Sequence, residues 1–291
     1  LTWSIVQSDC IEFLDGLPAD SVDLCLFSPP YEAARTYGIE FKLRGQAWVD
    51  WMVRVFAAAA RACRGLVACV CEGQTRKYRW SAAPVLLMAD LHRAGFHLRR
   101  PAIYHRVGIP GSGGPDWLRA DTEYVVCTAR PGRLPWSDNT ACGHPPKWAT
   151  GGAMSNRHAD GRRINAQLAG LATGRRVTRG QANGDTVASD SYVPPDIANP
   201  GNLIKCTVGG NNIGSTLAHE NEAPFPEQLA EFFVRSFCQP GGTVADPFAG
   251  SGTTAAVAKR HGRNFTGCDV RASQVALGLR RLDAEQQLLF A

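Results

Sequence analysis

Residues 246–254 read Asp-Pro-Phe-Ala-Gly-Ser-Gly-Thr-Thr, and this run narrows the possible folds more than any other part of the chain. Before it stands Thr243-Val244-Ala245, a β-prone run, and after it Ala255-Ala256-Val257-Ala258-Lys259, a helix-prone one. Gly250-Ser251-Gly252 therefore turns the chain from strand to helix, where an open α/β sheet takes its ligand. The two glycines let the backbone turn through positive φ or approach a ligand closely, and the helix start offers unpaired amides. No lysine follows them, which excludes a phosphate-cradling P-loop. The next strand-like run, Asn264 to Cys268, ends at Asp269, where a carboxylate can accept bonds from ribose hydroxyls. Strand, glycine loop, helix, strand and acid together make one nucleoside-binding unit. A nicotinamide-dependent dehydrogenase would need a third glycine where Ala255 stands.

The rest of the chain supplies the sheet around this unit. Ser4-Ile5-Val6 reads as a strand, followed by a short helix from Ile11 to Leu17. Val22 to Phe27 is an apolar run of the kind buried in a parallel sheet, and it stops at Ser28-Pro29-Pro30-Tyr31. Neither proline has an amide to give a ladder, and each constrains its predecessor, so the carbonyls of Ser28 and Pro29 are left free at a strand's C-terminal end. Trp48, Trp51, Met52, Val55, Phe56 and Ala59 form the apolar stripe of a core-packed helix. Leu66 to Cys71 is a further strand, and Val85 to Leu91 a helix closed by Gly95. Ala102–His105 and Glu123–Cys127, joined by a glycine-rich loop, read as a hairpin. Near the C-terminus, Pro224-Phe225-Pro226 opens a helix, and another runs from about Ser273 to Leu289.

Between Arg130 and Gly201 periodicity is weak. Trp136 and Trp148 are interleaved with Arg130, Arg133, Lys147, Arg157, Arg162, Arg163, Arg175, Arg176 and Arg179. So long a loop is usually functional or disordered, and clustered basic charge beside a ligand-binding sheet points to phosphate contacts.

Of the 291 residues, 44% are hydrophobic, enough for a substantial core, and no apolar run approaches the length of a membrane span. A cytoplasmic protein is expected. Cys25, Cys69, Cys71, Cys127 and Cys268, of ten cysteines, lie inside apolar strand-like runs, where thiols behave as small hydrophobes. There is no Cys-x-x-Cys, so no metal site is expected. The net charge of +5 is modest and fits a solvated surface.

Ser28-Pro29-Pro30-Tyr31 near the N-terminus and Asp246 to Thr254 near the C-terminus together resemble the amino-methylating DNA methyltransferases of bacteria and phages, in the permuted arrangement with the catalytic motif first. Ser8-Asp9-Cys10, Leu17 to Leu24 and Ala223-Pro224-Phe225-Pro226 extend the resemblance over most of residues 1–129 and 202–285. It implies an α/β fold: a doubly wound, mostly parallel Rossmann-like sheet of about seven strands, with a C-terminal hairpin strand and an irregular DNA-recognition insertion. Residues 1–129 would form the catalytic part, 130–201 the target-recognition insertion and 202–291 the cofactor-binding part of a methyltransferase domain.

The implied cofactor is S-adenosylmethionine. Asp246, Phe248, Gly250, Gly252, Thr253 and Thr254 would hold its methionine part, Asp269 its ribose, and Asp9 with the Cys10 amide its adenine, with Phe225 packing nearby. Gln274 stands where the family often has an aromatic residue. Double-stranded DNA is the implied partner, read by Arg157, Arg162, Arg163, Arg175, Arg176 and Arg179. A restriction endonuclease is a partner compatible with this class, and the sequence leaves the oligomeric state open.

The implied chemistry suits the residue types. Acceptors at the Ser28 side chain and the Pro29 carbonyl would bond the hydrogens of an exocyclic amine and favour a pyramidal, nucleophilic nitrogen. A base inside a duplex must first be flipped out, and Tyr31 is positioned to stack on it. Methylation at carbon 5 of cytosine is set aside, because the cysteine nucleophile of that family follows a proline and no Pro-Cys dipeptide occurs here. Serine at the first motif position is the usual form in cytosine-N4 enzymes, whereas adenine-N6 enzymes more often carry Asp or Asn. The expectation is therefore cytosine N4, with adenine N6 as the alternative and a non-catalytic DNA-binding module behind both.

Overall fold

The computed structural model describes residues 1–32, 41–109, 113–145, 196–208, 217 and 226–290, the last five by backbone alone. The chain divides into two compact units, one made of Leu1–Cys142 with Gly201–Ala291 and one of Gly143–Pro200. Residues 130–142, counted with the insertion in the sequence reading, pack on the first unit: Asp138 N donates to Ser236 O and Arg235 donates to Ala141 O. In the second unit an antiparallel β-bridge joins His144 to Ala198.

The first unit is built on β1 (Trp3–Gln7), α1 (Cys10–Gly16), β2 (Val22–Phe27), α2 (Gln46–Ala62), β3 (Cys63–Cys71), β4 (Thr75–Arg76), β5 (Arg79–Trp80), α3 (Ala83–Arg93) and β6 (His97–Leu98). It continues with β7 (Ala102–Val107), β8 (Thr122–Ala129), β9 (Leu203–Thr207), α4 (Glu227–Phe237), β10 (Thr243–Asp246), α5 (Thr253–Arg260), β11 (Asn264–Asp269) and α6 (Ala272–Phe290). The main sheet runs β1-β11-β10-β2-β3-β8-β7-β9, with β6 also on β8. From β1 to β3 every neighbour is parallel, whereas β8 is antiparallel to β3, β6 and β7. β9 then adds parallel to β7.

Among the described residues the main sheet has nine strands, more than the seven or so expected, and β4 with β5 forms a separate two-stranded sheet. The register between β8 and its partner slips by one residue between Leu98 and Ala102, so β6 and β7 are one edge interrupted at Arg99-Arg100-Pro101. Pro101 has no amide to bridge the gap. The hairpin of β7 and β8 lies in mid-chain rather than at the C-terminus, where α6 follows β11. The small β4–β5 hairpin carries no strand-length apolar run, so sequence periodicity does not announce it.

Both chain ends interleave in the sheet. β2 lies beside β10, and Asp23 at its start accepts hydrogen bonds from Thr243 N (2.8 Å) and Arg64 Nε (2.8 Å). Successive β2 side chains alternate between two cores. Leu24 and Leu26 face Leu229, Phe233, Val257 and Phe265, while Cys25 and Phe27 face Trp48, Met52 and Phe56. Both faces are thus covered, which is why β2 reads as a continuous apolar run; each fully buried leucine contributes roughly 1.5–3 kcal/mol. Helix α5 leads from β10 to β11 on one face and α2 from β2 to β3 on the other, so the winding reverses between β10 and β2. A crevice opens at the C-terminal ends of the strands at such a point.

Candidate active site

Because β1, β11, β10 and β2 are parallel neighbours, their C-terminal ends share one edge, and that edge gathers residues from both ends of the chain. Gln7 pairs with Asp269, Asp246 with Gly267, and Ala245 with Cys25. Asp269 and Asp246 end β11 and β10, while Asp9 and Ser28 follow β1 and β2, so four residues distant in sequence stand at one rim of four adjacent strands.

The glycine loop is tied down from within. Asp246 is buried, and its carboxyl accepts hydrogen bonds from Thr254 Oγ1 (2.8 Å) and Phe248 N (2.9 Å). Burial pushes this carboxyl up to about 7, with the nearby Asp269 adding to the rise against those two hydrogen bonds. Gly250 and Gly252 take φ of 50° and 76°, the left-handed region that favours glycine. A Cβ on Gly252 would stand 3.0 Å from Gly278 Cα of α6, so this glycine also permits close helix packing. Gly250 N donates to Asp269 Oδ2 (3.1 Å), and Arg271 N to Asp269 Oδ1 (2.9 Å).

The threonines face inward. Thr253 Oγ1 accepts from Arg281, a buried arginine of α6 that also pairs with Glu227, so Thr253 and Thr254 brace the loop from behind. Sequence reasoning missed Arg281, which reads as an ordinary helical cation. Phe248 packs against Phe27 (5.6 Å between centroids) and Trp51 (5.7 Å).

At the other end of the rim Asp9 caps α1, its Oδ1 accepting from Ile11 N (2.8 Å) and Glu12 N (3.3 Å). The Cys10 amide, at the first position of that helix, has no intrahelical acceptor. The Cys10 thiol is buried and pushed up to about 12 by desolvation, with Asp9 adding, so it packs and does not ionise. Gln274, on the first turn of α6, is buried. Phe225 lies outside the described residues, as do Arg157, Arg162, Arg163, Arg175, Arg176 and Arg179.

The Ser28-Pro29-Pro30-Tyr31 segment leaves β2 beside this loop. Trp48 Nε1 of α2 donates to Pro30 O (2.9 Å), while no described residue donates to Pro29 O. Tyr31 OH donates to Glu123 Oε2 on β8 (2.6 Å), and Ser28 Oγ lies 3.4 Å from that hydroxyl. Burial, with Glu123 adding, holds the Tyr31 phenol well above its usual range, so it stays a donor. Glu123 also pairs with Arg106 (3.1 Å). Sequence reasoning counted Glu123 only as part of a strand; its polar side chain ahead of an apolar run was the one available signal. Glu72, just past β3, is shifted up by burial and accepts from Gly73 N and Trp80 Nε1.

The rim thus offers two carboxylates at a glycine loop, a helix start capped by a carboxylate, and a hydroxyl beside a fixed aromatic ring. Such a donor set suits a cationic nucleoside: a positive charge beside Asp246 would restore the ionised form that burial disfavours. Among the described residues no group of three or more His, Cys, Asp or Glu is arranged to hold a metal, and no helix is long and apolar enough to cross a membrane.

Known proteins agree with this architecture. The chain is 24% identical over 298 residues to the DNA adenine methyltransferase YhdJ of Escherichia coli K12, covering 96% of this chain and 82% of YhdJ. Over 62 residues it is 47% identical to the type II methyltransferase M1.MboII of Moraxella bovis, which is 21% of this chain and 24% of that one. Among solved structures, the cytosine-N4-specific PvuII DNA methyltransferase superposes with a TM-score of 0.66 at 19% identity, over 99% of this chain and 91% of that one. TTHA0409 of Thermus thermophilus, a DNA modification methylase solved with S-adenosyl-L-methionine, gives 0.58 at 21% identity, over 98% and 96%. These two likenesses concern the fold. The profile of the DNA methylases, named for N6 and N4 methyltransferases, matches residues 22–279, and the chain belongs to this family.

Proposed function

We propose that the protein transfers a methyl group from S-adenosylmethionine to the exocyclic N4 of a flipped-out cytosine in double-stranded DNA. The observation that carries this reading is the position of Ser28 Oγ, beside the fixed Tyr31 ring and one strand from the Asp246 loop. When bound, S-adenosylmethionine supplies an electrophilic methyl group on a sulfonium. Asp269 is set to accept from ribose hydroxyls, Asp9 and the Cys10 amide to meet the adenine edge, and the glycine loop to hold the methionine part.

Ser28 and the Pro29 carbonyl act on the target. Ser28 directs its own proton towards the Tyr31 oxygen, so its lone pairs are free to accept from the amine hydrogens. Both acceptors favour a pyramidal amine, and holding the reactants in line supplies much of the acceleration. Tyr31 stacks on the flipped base, worth about 1–3 kcal/mol. The insertion's Arg157, Arg162, Arg163, Arg175, Arg176 and Arg179 contact phosphates.

Adenine N6 is the second reading, favoured by the nearly full-length likeness to a protein named a DNA adenine methyltransferase. Incubation with labelled S-adenosylmethionine and mixed-sequence duplex DNA, followed by nucleoside mass spectrometry, separates the two. N4-methylcytosine is expected; N6-methyladenine would overturn the use of Ser28, and no methylated nucleoside with cofactor bound would favour the non-catalytic module.

A further inference from the structure

Leu118, Tyr78 and Trp117 are the three most exposed large apolar side chains among the described residues, at 81%, 80% and 78%. All three stand on the edge of the sheet that carries the catalytic motif. β7 is antiparallel to β8, which is antiparallel to β3, so β7 points the same way as β3 and β2. The β7–β8 connection, with Trp117 and Leu118, therefore emerges at the C-terminal rim, and its root touches the site: Glu123, second residue of β8, holds Tyr31. The β4–β5 hairpin rises from the end of β3 at the same rim, with Trp80 bonded to Glu72 (3.0 Å) and stacked on Tyr124.

The described residues of both elements are braced. In the β7–β8 connection, Gly113 has φ 85°, and a Cβ there would lie 2.9 Å from both Trp117 O and Arg119 N. Arg106 donates from its side chain to Ala120 O (2.8 Å) and from its amide to Asp121 O (2.8 Å). The hairpin turns through Lys77 and Tyr78 at φ 48° and 64°, costing of order 1–3 kcal/mol per residue without glycine. Two braced elements thus hold aromatic and aliphatic groups out into water, with Lys77, Arg79 and Arg119 among them. A duplex offers both complements, base faces and phosphates.

We propose that Trp117 and Leu118 are a wedge that enters the base stack as the target nucleotide leaves it, with Tyr78 buttressing the flank and the neighbouring basic residues on phosphate. The inference rests on the reading of the protein as a methyltransferase of duplex DNA. The wedge fills the vacated space and so offsets the unstacking cost, a few kcal/mol per step.

The test compares the wild type with a Trp117→Ala/Leu118→Ala double variant and with Tyr78→Ala, on three forms of one mapped site. These are fully paired duplex, duplex with an abasic position opposite the target, and single strand. For the double variant, kcat/KM is expected to fall about tenfold or more on paired duplex and less than about threefold on the other two, since those bases are already unpaired. Tyr78→Ala should follow the same pattern more weakly, and S-adenosylmethionine affinity should stay constant. An equal loss on all three substrates would assign the loop to support of the Glu123–Tyr31 contact and overturn the wedge, as would no loss on any. A wild type that methylates no DNA in any form would instead remove the underlying reading.

Discussion

Tyr31 OH donates a 2.6 Å hydrogen bond to Glu123 Oε2, across 92 residues of sequence. The bond fixes the ring that follows the two prolines and orients the hydroxyl that Ser28 faces. Glu123→Ala should lower kcat about tenfold with cofactor affinity unchanged, since about 1.4 kcal/mol of positioning is lost. Tyr31→Phe with Glu123→Ala should be no worse than the worse single variant. Additive losses in that cycle would mean that the two side chains act separately.

Cofactor binding should weaken in acid. Asp246 holds its proton up to about pH 7 in the free protein, because its ionised form is buried. Its raised value means that the proton must leave before a bound cation gains a carboxylate, so affinity falls as pH drops below about 7, approaching tenfold per unit, and levels off above. Calorimetric titration of S-adenosylmethionine across that range checks this. Asp246→Asn should bind more weakly at neutral pH and with little pH dependence.

Asp269→Ala should weaken S-adenosylmethionine binding by about 1.5–3 kcal/mol, the value of hydrogen bonds to a charged group. It removes a ribose acceptor and the partner of the Gly250 amide. An unchanged dissociation constant, with the variant's melting temperature held, would remove Asp269 from the site.

Replacing Arg162, Arg163, Arg175 and Arg176 by alanine should weaken duplex binding and flatten its salt dependence, by about 0.9 in the log–log slope for each lost phosphate contact. Fluorescence anisotropy at several salt concentrations measures it. Weaker binding at an unchanged slope would point to contacts other than phosphates.

Asp23→Ala should destabilise the fold by about 1–3 kcal/mol in a denaturant titration, because Asp23 caps Thr243 N and Arg64 where β2 meets β10. A loss of activity without a loss of stability would contradict this purely structural role.

What could be read from the sequence was local. The turn at Gly250 and Gly252, the stop imposed by Pro29 and Pro30, and the stripe on α2 follow from backbone sterics and periodicities spanning a few residues, so they survive without knowledge of neighbours. Parallel strands then required Asp9, Asp246, Asp269 and Ser28 to share a rim once their strands were adjacent. The tertiary structure decided what those periodicities do not encode. It brought Glu123 to Tyr31 and Arg281 to Thr253, turned Thr254 onto Asp246, used Pro30 O to hold Trp48, and seated β9 on β7. Thr254 lies only eight residues from Asp246, but the other contacts join residues further apart in sequence and form only when the sheet closes, and a single polar side chain carries no pattern that names its partner.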